Sequence, residues 1–132
     1  MSQKGLRYNQ GKPKLSLVLE ARLALIGWAR ALEYGLKKYF RGNWRMGLNH
    51  TEVADSALRH LSLHLAGEDI DEESGLPHVD LALCNAGFLS EMYHARKDLD
   101  DRPIIAGKLV EKPKPKKSKP KAKSKKIGSV HV

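Results

Sequence analysis

The stretch Arg59-His60-Leu-Ser-Leu-His64-Leu-Ala-Gly67-Glu68-Asp-Ile-Asp71-Glu-Glu73-Ser74-Gly-Leu-Pro77-His78-Val-Asp80-Leu-Ala-Leu-Cys84-Asn85 decides how the chain is organised. One apolar helical run ends at Gly67 and another begins near Pro77, the punctuation expected at helix ends. Between them lie Glu68, Asp69, Asp71, Glu72 and Glu73, five acids within six positions. His60 and His64 precede this loop, and His78 and Asp80 follow it. Two helices joined in this way form a hairpin, so imidazoles and carboxylates converge at its open end. A divalent cation there would relieve the self-repulsion of the acids. The plainer reading is a solvated acidic loop flanked by surface histidines.

Working outward, the periodicity predicts helices over 15–39, 51–66 and 77–97. In the second, Val53, Ala57 and Leu61 face a core, and Asn49 with Glu52 spells a capping box. Asp55 can pair with Arg59, while His60, His64 and Glu68 recur every four residues on one face. The third is apolar throughout, with Leu81, Leu83, Phe88, Leu89 and Met92. Ser74 is its expected cap and Pro77 an early helical position. Asn85 in so apolar a run needs a partner, either a buried hydrogen bond or a ligand. The first helix carries Leu15, Val18, Leu19, Leu23, Ile26, Leu32 and Leu36 at helical spacing, with Ser16 near its start. Glu33 sits near its C-terminal end, where an acid opposes the helix dipole. That placement points either to a pair with Lys37 or to metal ligation.

The connecting segments carry the remaining candidates. Residues 40–49 form a Gly-punctuated loop in which Trp44 can stack on a base and Arg41 and Arg45 can hold phosphates. Equally, Trp44 can plug the hairpin. Residues 4–14 form a polar arm whose Arg7, Lys12 and Lys14 suit an anion or simply solvent. No strand pattern of consequence is visible. The expected fold is all-α, three main helices in a small bundle.

The chain has 132 residues and a net charge of +9. Ten Lys and one Glu between Lys108 and Val132 account for all of it, and residues 1–107 balance at fourteen basic and fourteen acidic side chains. The body is therefore not a basic nucleic-acid-binding domain. The Lys/Pro/Ser/Ala composition of residues 108–132 predicts a disordered tail that binds polyanions weakly and in a salt-dependent way. The expected boundary falls at 107/108. A body this small gains from association, so a homo-oligomer is expected. The single Cys84 excludes an internal disulfide framework and fits a reducing compartment. No apolar run spans a bilayer and none forms a signal-peptide core. A soluble, cytoplasmic protein is expected. There is no P-loop, no zinc-type Cys cluster and no Ser-His-Asp signature.

The ordered motifs Gly5-Leu-Arg7-Tyr-Asn-x-Gly-Lys12-Pro-Lys14, Leu32-Glu33-Tyr-Gly-x-Lys-Lys38-Tyr39, Gly42-Asn43-Trp44-Arg45, Ala57-Leu-Arg59-His60 and Gly67-Glu68-Asp-x-Asp71-x-Glu73-Ser-Gly-x-x-His78 carry a resemblance. Over roughly residues 5–95 the chain resembles the N-terminal domain of phage dATP/dGTP diphosphohydrolases. These are similar to the MazG-like all-α nucleoside triphosphate pyrophosphohydrolases. The resemblance implies hydrolysis of a purine deoxynucleoside triphosphate to the monophosphate and pyrophosphate, by a phage protein acting in the host cell. It also implies Mg²⁺ held by carboxylates on two helices. Glu52-Val-Ala-Asp55 matches one such motif; its usual companion, Glu-x-x-Glu, is absent. The preferred metal set is Glu33, Glu68, Asp71 and His78, with Glu52 and Asp55 as the alternative. Imidazole ligands suit Mn²⁺ better than Mg²⁺. His60 or the loop carboxylate Glu73 would take a proton from water, aided by Arg59. Arg7, Lys12, Lys38 and Arg45 would hold phosphates, Asn43 or Asn85 would read the base edge, and Trp44 would stack on it. Two other readings are an accessory protein that binds nucleic acid through its tail, and a helical interaction module without catalysis.

Overall fold

Leu- and Ala-rich periodicity produces three α-helices in the computed structural model, which describes residues 2–111. They are α1 (Arg22–Gly35), α2 (His50–Leu65) and α3 (His78–Ala95). The expected all-α architecture of three main helices holds. The Lys-rich tail over 112–132 lies outside the described residues. No helix among the described residues is long and apolar enough to cross a membrane.

The centre of the fold is the α2–α3 hairpin. His60 meets His78 at one end and His50 meets the Arg96 carbonyl at the other, so the two helices run antiparallel. Val53 of α2 packs against Leu81, Cys84 and Phe88 of α3, and α1 adds Ala31. α1 lies close on α3 because glycine permits it. A Cβ on Gly27 would fall 2.3 Å from the Asp80 carboxylate, and one on Gly87 would fall 2.4 Å from the Trp28 ring. Cys84 is fully buried in this layer, and burial pushes its thiol up to about 12. It is a core residue, not a thiolate nucleophile.

Several local expectations are corrected. The chain from Leu15 to Ala21 is a 3-10 helix with no buried residue, not the start of α1. Helices are held chiefly by packing of one apolar face, and nothing among the described residues covers this one. Ser16 therefore caps nothing; the residue before α1 is Ala21, which has no side-chain cap. The Asn49 side chain does not cap α2 either. Asp101 does so from far along the chain, accepting from Thr51 N at 2.9 Å and from Thr51 Oγ1 at 2.6 Å. Ser74 belongs to the loop, and the α3 cap position is Pro77. The expected exit turn contains a small antiparallel hairpin, β1 (Ile104–Ile105) with β2 (Lys108–Leu109). That hairpin crosses the expected 107/108 boundary.

Candidate active site

Asp71 is the pivot of the acidic loop. Its Oδ2 accepts from the Ser74 amide at 2.9 Å and from the Ser74 hydroxyl at 2.7 Å. The Asp71 amide bonds the Leu76 carbonyl and the His78 amide bonds the Asp69 carbonyl. The loop is thus a folded turn that aims one carboxylate back at the hairpin. Burial pushes the Asp71 carboxyl up, but the Ser74 hydrogen bonds and nearby His60 and His78 outweigh it and hold the group below its ordinary value.

Ligand-type atoms of His60, Asp71 and His78 lie within 4.8 Å of one another. His60 is half-buried on α2, and His78, at the first position of α3, is 1% exposed. Their Nδ1 atoms are 2.9 Å apart. On the far side of the His78 ring, Nε2 donates to Glu68 Oε2 at 2.9 Å. A buried imidazole is in this way fixed between a carboxylate and a second imidazole.

A cleft of about 220 Å³ opens over this group, walled by Tyr34, Ser56, Arg59, His60, Leu63, Asp71, Glu73 and Leu81. Arg59 stands at its edge with its guanidinium donating to Ser56 Oγ at 3.2 Å. Lys38, beyond the end of α1, is hydrogen-bonded to Glu73 and lies over the Tyr34 ring. The Tyr34 hydroxyl also donates to Glu73, at 3.3 Å. The hydrogen bond from Lys38 holds the Glu73 carboxyl below its ordinary value, and the same bond raises Lys38.

The hairpin therefore brings together Arg59, His60, Glu68, Asp71, Glu73 and His78, and the turn after α1 adds Lys38. Tyr34, Ser56 and Ser74 join them without having been singled out as site residues in the sequence. Tyr34 follows Glu33 within a quoted motif, and that was the available signal. Glu33 lines a neighbouring cleft with Arg30, Tyr34, Lys37, Ser74 and Leu76. It also lines a third, more apolar cleft of about 280 Å³ on the other side of α1, walled by Leu32, Leu36, Phe40, Trp44 and Phe88, with Arg41 and Asn43. Trp44 stacks on Phe88 at 5.0 Å, and Asn43 is buried. Asn85 is 1% exposed and donates to the Leu81 carbonyl at 2.8 Å. Glu52 and Asp55 sit on the exposed face of α2, Arg45 is exposed in a 3-10 turn, and Arg7 and Lys12 are exposed in the N-terminal arm.

Fold and cleft define an all-α domain with a histidine–carboxylate centre at the mouth of a helical hairpin. The chain belongs to the family described as dATP/dGTP diphosphohydrolase, N-terminal, whose model matches residues 2–102. A relative from Salmonella phage PMBT28, named dATP/dGTP diphosphohydrolase, is 34% identical over 98 residues. The match covers 74% of this chain and 33% of that protein, so the chain spans about a third of its relative's length. No solved structure matches the chain.

Proposed function

We propose that this domain hydrolyses purine deoxynucleoside triphosphates, dATP or dGTP, to the monophosphate and pyrophosphate. The observation that carries the reading is the convergence of Arg59, His60, Asp71 and Glu73 on one cleft, with His78 in contact with His60 and Lys38 bonded to Glu73, in a chain of this family. Water adds to a phosphorus of the triphosphate, the bridging bond to pyrophosphate breaks, and one proton must leave the water.

His60, Asp71 and His78 are the residues that would hold a divalent cation. Bound there, a cation supplies charge screening for the triphosphate and a more acidic water. The protein groups do the rest. Arg59, steadied by Ser56, offers a planar pair of donors to phosphate oxygens. Lys38 is held by Glu73 in the free protein. An incoming triphosphate competes for that ammonium, and the exchange releases Glu73 from the contact that depresses its carboxyl. Glu73 then becomes a better acceptor for the proton of the attacking water. The aromatic and aliphatic walls of the larger cleft, with Glu33, Arg41 and Asn43 beside them, suit a purine ring. On this reading the base would lie in that cleft, which Glu33 lines, and the phosphates in the cleft over the histidines.

Pyrophosphate release from a panel of dNTPs, with Mg²⁺ or Mn²⁺, tests the reading. The expected result is release from dATP or dGTP by the full chain, abolished by Asp71→Asn. Glu33→Gln should change the preference among bases. No release from any nucleotide with either cation overturns the proposal.

A further inference from the structure

The donor atoms at the hairpin mouth do not match the Mg²⁺ that the family resemblance implies. Mg²⁺ takes oxygen ligands in a tight octahedron and keeps several waters. The cluster here offers two imidazole nitrogens and a single carboxylate. We infer that His60 Nδ1, His78 Nδ1 and an Asp71 oxygen form a three-point seat for a divalent transition metal. This rests on the reading of the same cleft given above, but its test is a binding measurement and does not need the reaction.

Three independent features support it. The first is the separation of the nitrogens. The two Nδ1 atoms are 2.9 Å apart, the length of an N–H···N hydrogen bond with one nitrogen protonated, and an ion held between the rings would replace that proton. Two imidazoles with one carboxylate are the ligand set of open transition-metal sites.

The second is the orientation of His78. A ligating histidine characteristically donates its other N–H to a carboxylate, which fixes the ring and makes the ligating nitrogen more basic. Glu68 does this for His78, at 2.9 Å from Nε2. The bond leaves Nδ1 as the lone-pair atom that faces His60. Glu68, expected from the sequence as a ligand, is thereby assigned as a positioning residue.

The third is the orientation of Asp71. Both Ser74 bonds fall on Oδ2. The carboxylate is held at one oxygen, and Oδ1 is left without a Ser74 bond. The third member, His78, has an almost wholly buried polar ring. A cluster built for exposed acids alone would need neither a buried imidazole nor a carboxylate behind it.

The test is isothermal titration of the full, chelator-stripped chain with MnCl₂, CoCl₂ and MgCl₂, without nucleotide. Expected are one Mn²⁺ or Co²⁺ per chain, a Co²⁺ visible spectrum that reports nitrogen ligation, and weaker binding of Mg²⁺. His60→Gln and Asp71→Asn should each abolish the Mn²⁺ heat. Glu68→Gln should weaken Mn²⁺ about 10–100-fold, as losses behind a ligand do, with the helical circular dichroism unchanged. Because Asp71 also organises its loop, His60→Gln and Glu68→Gln are the deciding variants. Mg²⁺ binding as tight as Mn²⁺, or Mn²⁺ binding untouched by His60→Gln, overturns the inference even if the chain hydrolyses dNTPs. Mn²⁺ binding with the expected variant losses, in a chain that hydrolyses nothing, upholds the metal seat and removes the proposed reaction.

Discussion

Glu73 and Lys38 are exposed charges that gain meaning only from each other. Exposed ion pairs contribute little to stability, so this one is better explained by what it holds in readiness at the cleft edge. The two variants should separate. Lys38→Ala removes a phosphate contact and is expected to raise KM for the dNTP. Glu73→Gln keeps the size and a hydrogen bond to Lys38 but removes the proton acceptor, and is expected to lower kcat by about 10²–10⁴-fold with a smaller change in KM. Steady-state kinetics of both variants decides. Equal loss of kcat in both would mean that the pair acts as one structural unit and that Glu73 takes no proton.

At the scale of the elements, α1 is placed by the apolar contacts of Trp28, Ala31 and Leu32 with the core and by two close approaches at glycine. Gly87 is the firmer of them, because the atoms its missing side chain would strike belong to the half-buried ring of Trp28. Two effects oppose each other in Gly87→Ala. Helix propensity favours alanine by about 1 kcal/mol, and overpacking costs about 1–3 kcal/mol. The ring has little room to give, so overpacking wins. The variant is expected to be destabilised by about 1 kcal/mol or more in urea unfolding. A stabilised Gly87→Ala would mean that α1 is free to ride outward. Displacing α1 moves Tyr34 and Lys38, so the same variant should also weaken nucleotide binding.

Across the whole molecule, the described chain leaves much apolar surface bare. Leu15 (77%) and Leu19 (64%) of the 3-10 helix and Leu23 (84%) of α1 are exposed. Residues 2–19 carry Lys4, Arg7, Lys12 and Lys14 and no acid, while the loop from Glu68 to Glu73 carries five acids. A second copy is expected to cover this surface, its acidic loop meeting the basic arm while the leucines are buried. Sedimentation equilibrium is expected to give twice the chain mass, and Leu19→Asp with Leu23→Asp is expected to give the monomer. A wild-type monomer at tens of micromolar would remove this expectation.

Some of this was fixed by the residues alone. Spacing of Leu, Ala and Val at three and four positions is enough to set three helices, because burying one face is the main reason such segments become helical. Five acids between two helices with histidines at either end were enough to mark the candidate site. The sequence could not show which of those groups meet. His60 and His78 are eighteen residues apart, and only antiparallel packing of α2 on α3 brings their rings into contact. Nor could it show that Glu68 bonds His78, that Asp101 caps α2 from fifty residues away, or that Leu15–Ala21 is covered by nothing among the described residues. Local pattern decides local structure because neighbours in sequence share a helix face. Ligand sets and long-range caps depend on where whole helices come to rest, and that is decided by the packing of Val53, Leu81 and Phe88 in the core, by α1 seated on Gly87, and by the turn that Ser74 imposes on Asp71.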